Sequence, residues 1–391
     1  MLHRGKPGLG NPTPSLHSPL TNPKRFERYS VMNLKQLAQH LNLSQTTVSR
    51  ALNGYPEVNE KTRSRVLSAA RALNYSPNAR AKGLATGRAQ AIGHVLPISD
   101  QHEMVNPIFG DFIAGAGATY AKGGYEVVIS LVDDKDEESA YRSIRNRGNV
   151  DGIIVHGPRM SDPRVALLTE LGLPFVVHGR ASDVNLPYSW LDTNNGRAFQ
   201  RATEFLLDLS HRKIALINGL EFMDFAHRRR DAYVTALTAR GIAVAPSLMR
   251  SGEMTEIYGY RAARDMLAQD NAPTAFLVSS MISAIGVRRA IHEAGLEMGR
   301  DVSVITHDDD LSYLKNGDDV PLFTATRSSV RAAGMHAAEM LLHLIRSPGG
   351  PPVTRLMEAE LIIGRSTGPA ISNAATSIAA TSGPGKPGPA T

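Results

Sequence analysis

Leu34 to Asn53 reads LKQLAQHLNLSQTTVSRALN, two short helical patterns separated by a tight turn at Asn42 and Leu43. Apolar residues fall at Leu34, Leu37, Ala38 and Leu41, then at Val48, Ala51 and Leu52, the spacing that gathers side chains on one helix face. A third pattern, Val66, Leu67, Ala70 and Leu73, supplies a helix to cover the other two, so a small all-α bundle is expected over residues 32–77. Ser44 and Asn59 stand where a side-chain oxygen accepts from a first-turn amide, and so should N-cap the second and third helices. The second helix keeps an outer face of Gln, Thr, Ser and Arg. Gln45 and Thr46 begin it, where a helix-turn-helix reaches base edges in the major groove. Gln pairs in bidentate fashion with adenine, and the Thr methyl meets that of thymine. Thr47, Ser49, Arg50 and Asn53 suit phosphates and neighbouring bases. The competing reading is a plain solvated helix face, and the local charge argues against it. Lys35, Arg50, Lys61, Arg63, Arg65, Arg71, Arg80, Lys82 and Arg88 are opposed across this span only by Glu57 and Glu60. Such an excess attracts phosphates regardless of base sequence and weakens steeply with salt.

A chain of 391 residues exceeds one compact core and suits two or three domains. Its formal charge of +6 is modest, so where the basic residues cluster matters more than their sum. There is no cysteine, which excludes disulfides, thiolate catalysis and Cys-ligated zinc. Residues 1–31, rich in Pro, Ser and Asn, read as a disordered extension or an artefact of start-site choice. Residues 369–391, almost all Ala, Ser, Thr, Gly and Pro, read as a flexible tail. No apolar run of signal-peptide or membrane-spanning length is present, so a cytoplasmic location is expected.

From Ala91 the period changes to alternating strand and helix. Strands are expected at Ile92 to Leu96, Val127 to Ile129, Ile153 to Val155 and Phe175 to Val177. A second set follows at Ile214 to Ile217, Ala275 to Val278 and Val302 to Ile305, with helices starting near Asn195, His227, Glu256 and Met281. This is the pattern of two doubly wound α/β lobes built on parallel sheets. A ligand of such a fold sits at the carboxyl ends of the strands. His156, His178 with Arg180, Ser280 and Asp308 fall at such ends.

The segments Leu37-Ala38, Leu43-Ser44, Thr47-Val48-Ser49-Arg50, Asn53, Val58, Thr62-Arg63 and Leu73 to Asn78 together resemble the signature of LacI/GalR transcriptional regulators. The resemblance implies an all-α helix-turn-helix DNA-binding domain followed by an α/β core like the periplasmic sugar-binding proteins, residues 91–368. Ala79 to Gly87, ARAKGLATG, is similar to that family's hinge helix, and a hinge with its linker is placed at 78–90. Leu84 then falls where the family wedges a leucine into the minor groove, exchanging unstacking energy for kinked DNA. Leu34, Thr62, Tyr75, Asn78 and Ala81 complete the implied DNA-contacting set. The plain-linker reading of the hinge is reconciled with this one if the helix forms only on DNA and beside a partner hinge.

For the core, the resemblance implies a ligand-binding arginine at Arg229, with Ala232 replacing the family's usual glycine, and a ligand-binding aspartate at Asp308. Asn106, Phe109, Asp111, Trp190 and Arg327 are candidate wall or rim residues. Ser280-Met281 replaces a common Asn-Asp pair, and Gly179 stands where lactose-type members carry aspartate. Within the family, the stretches Leu43 to Val58, His178-Gly179-Arg180 and Thr306-His307-Asp308 are most similar to regulators of α-glucoside utilisation. The implied protein is a homodimeric or tetrameric repressor of operator DNA, needing no cofactor or metal and released by a small sugar. A purine or sugar phosphate effector, or a sugar-binding protein without a regulatory role, is the alternative.

Two enzyme readings are weaker. In His307-Asp308-Asp309-Asp310, consecutive carboxylates cannot all converge on a cation or substrate. Gly115 to Tyr120 has the first two glycines of a dinucleotide fingerprint but Tyr120 in the third place, and is better read as helix packing.

Overall fold

The computed structural model describes residues 32–75, 87–97 and 106–371, which divide into two compact units, 32–75 and 87–371. The expected extension 1–31, most of the hinge with Asn78, Ala81 and Leu84, and the tail from 372 lie outside the described residues.

The first unit packs helices α1 (Leu34–Leu41), α2 (Gln45–Leu52) and α3 (Glu60–Ala72) around Leu37, Leu41, Val48, Ala51, Val66 and Ala70. Its caps are local. The Ser44 hydroxyl accepts from Thr47 N at 3.0 Å, and Asn59 Oδ1 accepts from Thr62 N at 2.8 Å. Asn33 and Gln36 add a capping box on α1 beyond the two caps expected from the sequence. Asn42 closes α1 in the left-handed region at φ 51°, which Asn tolerates better than other non-glycine residues.

In the second unit, one sheet contains β1 (Ala91–Pro97), β2 (Glu126–Val132), β3 (Gly152–Val155), β4 (Phe175–His178), β5 (Trp190–Thr193) and β11 (Thr354–Met357). Its order is β11-β5-β4-β3-β1-β2 and every pairing is parallel. The other contains β6 (Ile214–Asn218), β7 (Met249–Ser251), β8 (Ala275–Val278), β9 (Ser303–Asp308), β10 (Thr324–Arg327) and β12 (Glu360–Ile362). Its order is β12-β10-β9-β8-β6-β7, and only the β10–β12 pairing is antiparallel. Helices α4 (Pro107–Gly123), α5 (Glu137–Arg147), α6 (Pro163–Leu171) and α11 (Val330–Arg346) accompany the first sheet. Helices α7 (Asn195–Asp208), α8 (Asp224–Ala239), α9 (Glu256–Leu267) and α10 (Met281–Glu293) accompany the second. The seven strands read from the pattern are present, and β5, β7, β10, β11 and β12 are added to them.

The chain passes between the lobes three times, from β5 into α7, from β10 into α11 and from β11 into β12. α11 thus returns to the first lobe and lays Ala337, Leu341 and Ile345 on a core of Phe112, Tyr120, Ile154 and Val176. α4 meets it at van der Waals range through glycine. A Cβ on Gly115 would stand 2.0 Å from Arg331 O, and one on Gly334 would stand 2.1 Å from Phe112 O. Gly115 to Tyr120 is therefore a helix-packing surface, and the nucleotide-loop alternative has no place in it.

Two boundaries move. The expected linker ran to residue 90, yet the amides of Ala89 and Gln90 donate to the Asp151 carboxylate at 2.7 and 2.8 Å and belong to the first lobe. The expected tail began at 369, yet Ala370 N donates to Leu209 O at 2.9 Å. Short stretches poor in apolar residues gave no pattern that could reveal these bonds. No helix among the described residues is long and apolar enough to cross a membrane.

Gly334→Ala should lower the unfolding free energy by about 3 kcal/mol, the cost of forcing a methyl into a filled interface, as measured by urea denaturation. Gly110→Ala is the control, because a Cβ there meets nothing within 4 Å.

Candidate functional site

Two surfaces deserve a chemical reading, one in each unit. On the first, Gln45, Thr46 and Arg50 are exposed on α2, and Lys35, Lys61 and Arg71 are exposed on its neighbours. Other candidates there are occupied. Thr47 Oγ1 lies 2.8 Å from the Ser44 hydroxyl, and Asn53 Nδ2 donates to Ser49 O at 2.9 Å, so both also hold helix ends. Leu34 and Tyr75 are half-buried against the bundle core, and Thr62 is half-buried at the start of α3. Arg63 donates to Tyr55 O, and Arg65 to Leu41 O, so part of the basic excess holds the fold together.

The second is a cleft of about 400 Å³ between the two lobes, at the carboxyl ends of their strands. Asn106, Phe109, His156, His178 and Arg229, all among the candidates read from the sequence, line it. Arg229, on α8, is 5% exposed. Its Nε donates to Asn195 Oδ1 and its Nη1 to Ser279 O, both at 2.7 Å. Its guanidinium lies 4.8 Å from the Phe199 ring centroid and 4.9 Å from that of Phe225. A desolvated cation between two aromatic faces gains about 2 kcal/mol and gives up its freedom to move. Burial lowers its pKa to about 10, with Asp309 opposing, so it stays cationic at neutral pH.

The acid facing Arg229 is Asp309 rather than Asp308. Successive side chains leave a strand on opposite faces, so His307 and Asp309 share the cleft face. Asp308 turns away to accept from Asp310 N at 2.9 Å. Burial pushes the Asp309 carboxyl up to about 7, and Arg229 pulls the other way.

Five further candidates are placed outside the lining, each for a tertiary reason. Asp111 accepts from Ser312 N and Oγ and from Arg331, tying α4 to the segment before β10 and to α11. Ser280 caps α10 through Ile282 N, while its neighbour Ser279 lines the cleft. Arg180 pairs with Asp192 at 2.9 Å and stacks over Trp190 at 5.0 Å, so those two residues support the cleft from behind. Arg327 is exposed and bonds Asp310. The first-lobe wall is instead Phe109, Phe112, His156 and His178. The Phe112 ring centroid lies 4.3 Å from that of His178 and 4.9 Å from that of His156. Behind them His94, fully buried on β1, meets His156 with Nδ1 2.9 Å from Nε2. Burial lowers the pKa of His94 and of His178 to about 4, and burial followed by its histidine neighbours holds that of His156 well below its ordinary value. The wall is therefore uncharged. Phe112, Asn195, Ser279, Phe225 and Asp309 are not among the effector contacts expected from the sequence. Only Asp309 carried a usable signal, in the two-residue strand period.

The lobes are also tied beside the cleft. Ser182 N donates to the Asp224 carboxylate at 2.9 Å, and Arg228 bridges Asp224 to Asp192, with Nη2 2.9 Å from the latter. Among the described residues no group of His, Asp or Glu is arranged to hold a metal ion.

Residues 33–78 match the model of the bacterial regulatory proteins of the lacI family, and residues 203–367 match that of a periplasmic binding protein-like domain. The chain is 46% identical over 345 residues to the HTH-type transcriptional regulator AglR of Rhizobium meliloti (strain 1021), covering 87% of this chain and 95% of that one. It is 31% identical over 278 residues to the HTH-type transcriptional regulator RafR of Escherichia coli, covering 71% and 82%. Among solved structures it is similar to the lac repressor dimer bound to operator and the anti-inducer ONPF, with TM-score 0.76 at 25% identity, covering 86% of this chain and 99% of that one. It is also similar to the CelR–cellobiose complex, with TM-score 0.63 at 25% identity and the same coverage.

The neutral wall has a pH signature. With a folded pKa of about 4 against about 6.5 unfolded, His94 takes up its proton first in the unfolded chain as the pH falls. Stability that is intact above about pH 6.5 is therefore lost as the pH drops toward 4. In His94→Leu, the fall in unfolding free energy between about pH 7.5 and about pH 5 should shrink by about 2 kcal/mol. Urea titrations at the two pH values check this, and an undiminished fall would remove His94 as the cause.

Proposed function

Since the chain belongs to the lacI family of bacterial regulatory proteins, we propose that it represses transcription by holding operator DNA through α2, and that a neutral sugar in the interlobe cleft sets that hold. The reading head takes residues 32–77, the hinge 78–88 and the sensing core the residues beyond. Gln45 and Thr46 read bases, while Arg50, Lys35 and Lys61 meet phosphates. Two chains pair to present two heads to a pseudo-palindromic site in the cytoplasm, as two-fold symmetric readers require. Closure of the lobes on a sugar displaces the hinges, and DNA affinity changes only as far as the two states bind the sugar differently.

One observation carries the choice of effector. Among the described residues lining the cleft, Arg229 is the one cationic side chain, and Asp192, Glu253, Glu256 and Asp309 carry or share acidic groups. A phosphate would find there a single lining cation that already faces Asp309, with Asp192 paired to Arg180 and Arg228 and Glu256 to Arg289, which counts against a sugar phosphate. Neutral hydroxyls instead find a fixed guanidinium, carboxylates and imidazoles, with Phe109 and Phe112 for the apolar ring face. A cleft of about 400 Å³ suits a two-ring sugar. The similar CelR structure was solved with the disaccharide cellobiose, which supports that size class. An α-glucoside such as maltose is the specific candidate.

A thermal-shift panel of maltose, sucrose, glucose, glucose 6-phosphate and guanine tests this. A disaccharide should raise the melting temperature, because a ligand bound only by the folded state stabilises it. A shift with the phosphate or the purine alone overturns the reading. Arg229→Ala should abolish the response of operator binding to that disaccharide, with operator affinity itself unchanged in a mobility-shift titration. Gln45→Ala should relax base preference in a binding-site selection, and an unchanged preference would remove α2 as the reader.

A further inference from the structure

Three aromatic polar side chains run from the first-lobe core to the cleft. Tyr120 on α4 and His94 on β1 are both fully buried, with their rings in edge contact at 6.1 Å between centroids. Tyr120 Oη and His94 Nε2 are both buried without a hydrogen-bond partner among the described residues. The other nitrogen of His94 meets His156 Nε2, and the His156 ring lines the cleft. A buried polar atom left alone costs about 1–3 kcal/mol, so two adjacent ones that can answer each other form a unit. A rotation of the phenol that brings Oη to Nε2 would join them directly.

Counting protons fixes the direction. A neutral phenol always carries a hydrogen, and of the two unpartnered atoms on these touching rings His94 Nε2 is the one able to receive it. If His94 donated from Nε2 instead, the phenol hydrogen would be stranded in the core. A neutral His94 that accepts at Nε2 carries its single proton on Nδ1 and gives it to His156 Nε2. A neutral His156 that accepts at Nε2 carries its proton on Nδ1, the nitrogen His94 leaves for the cleft.

We propose that Tyr120 and His94 are positioning residues that lock His156 in its Nδ1–H tautomer, so that the cleft floor presents a hydrogen-bond donor to an acceptor oxygen of the effector. The inference rests on the cleft being the effector site, and it deepens that reading by assigning the polarity of one contact. The relay lies upstream of any contact with the sugar. Tyr120 and His94, which touch no ligand themselves, thus decide which effector atoms the wall accepts, as hydrogen-bonded partners of imidazoles do elsewhere.

Long-range proton–nitrogen correlation spectra of the full-length protein labelled with ¹⁵N-histidine decide the matter without any sugar. Resonances are assigned with His94→Asn and His156→Asn. The expected spectrum shows His94 and His156 neutral at pH 7, each protonated at Nδ1 and bare at Nε2. A proton on His156 Nε2 overturns the proposal. In Tyr120→Phe, which keeps the ring, a second His156 tautomer should become populated, and an unchanged spectrum removes Tyr120 from the relay. The same variant should bind maltose about three- to tenfold more weakly, the equivalent of one ordinary hydrogen bond, with operator affinity unaltered. Should wild-type protein ignore maltose, sucrose and glucose alike, the sugar reading falls, while the relay still stands or falls on the spectrum.

Discussion

Parallel pairing is the constraint from which the sensing core follows. Strands that all run one way end on one side, so each lobe delivers its loops and helix starts to a single rim. Two such rims facing each other make a cleft without any residue being selected for it. The pairings β1–β3, β3–β4 and β6–β8, β8–β9 place His156, His178, Ser279 and His307 on those rims. Selection then acts on what stands there. One rim offers phenyl rings and uncharged imidazoles, and the other offers Arg229 with Asp309.

How a cation can sit in that setting is answered by its supports. Arg229 is held by an amide, a carbonyl and two ring faces before any ligand arrives, which reduces the entropy lost on binding. Asp192 does similar work for two other arginines, Arg180 and Arg228, one from each lobe. Groups that line the cleft are thus few, and those that keep them in place are many.

Local physics was legible in the sequence, and remote pairing was not. Ser44 and Asn59 were visible as caps because a cap needs only its own next three residues. The helices of the reading head and seven strands were visible in their periods. Strand β11 was not, since its meaning lies in the pairing of Thr354 with Trp190. Asp111 and Trp190 were candidate wall or rim residues of the cleft. Their partners, Ser312 and Arg331 for one and Arg180 for the other, claim them instead. Asp308 ends β9 and Asp309 follows it, and the resemblance favoured the one that points away. The charge excess in the head was legible as a sum, but that Arg63 and Arg65 spend theirs on backbone carbonyls was not.

The triple passage between lobes bears on how the protein is made. The first lobe lacks α11 and β11 until residues 330–357 exist, and the second lacks β12 until 360–362. Tyr120, Ile154 and Val176 therefore wait, their apolar surface uncovered, while nearly the whole remainder of the chain leaves the ribosome. Neither lobe is finished first. Both close within the same last stretch of synthesis, and a chain cut short before it leaves two open sheets rather than one folded half.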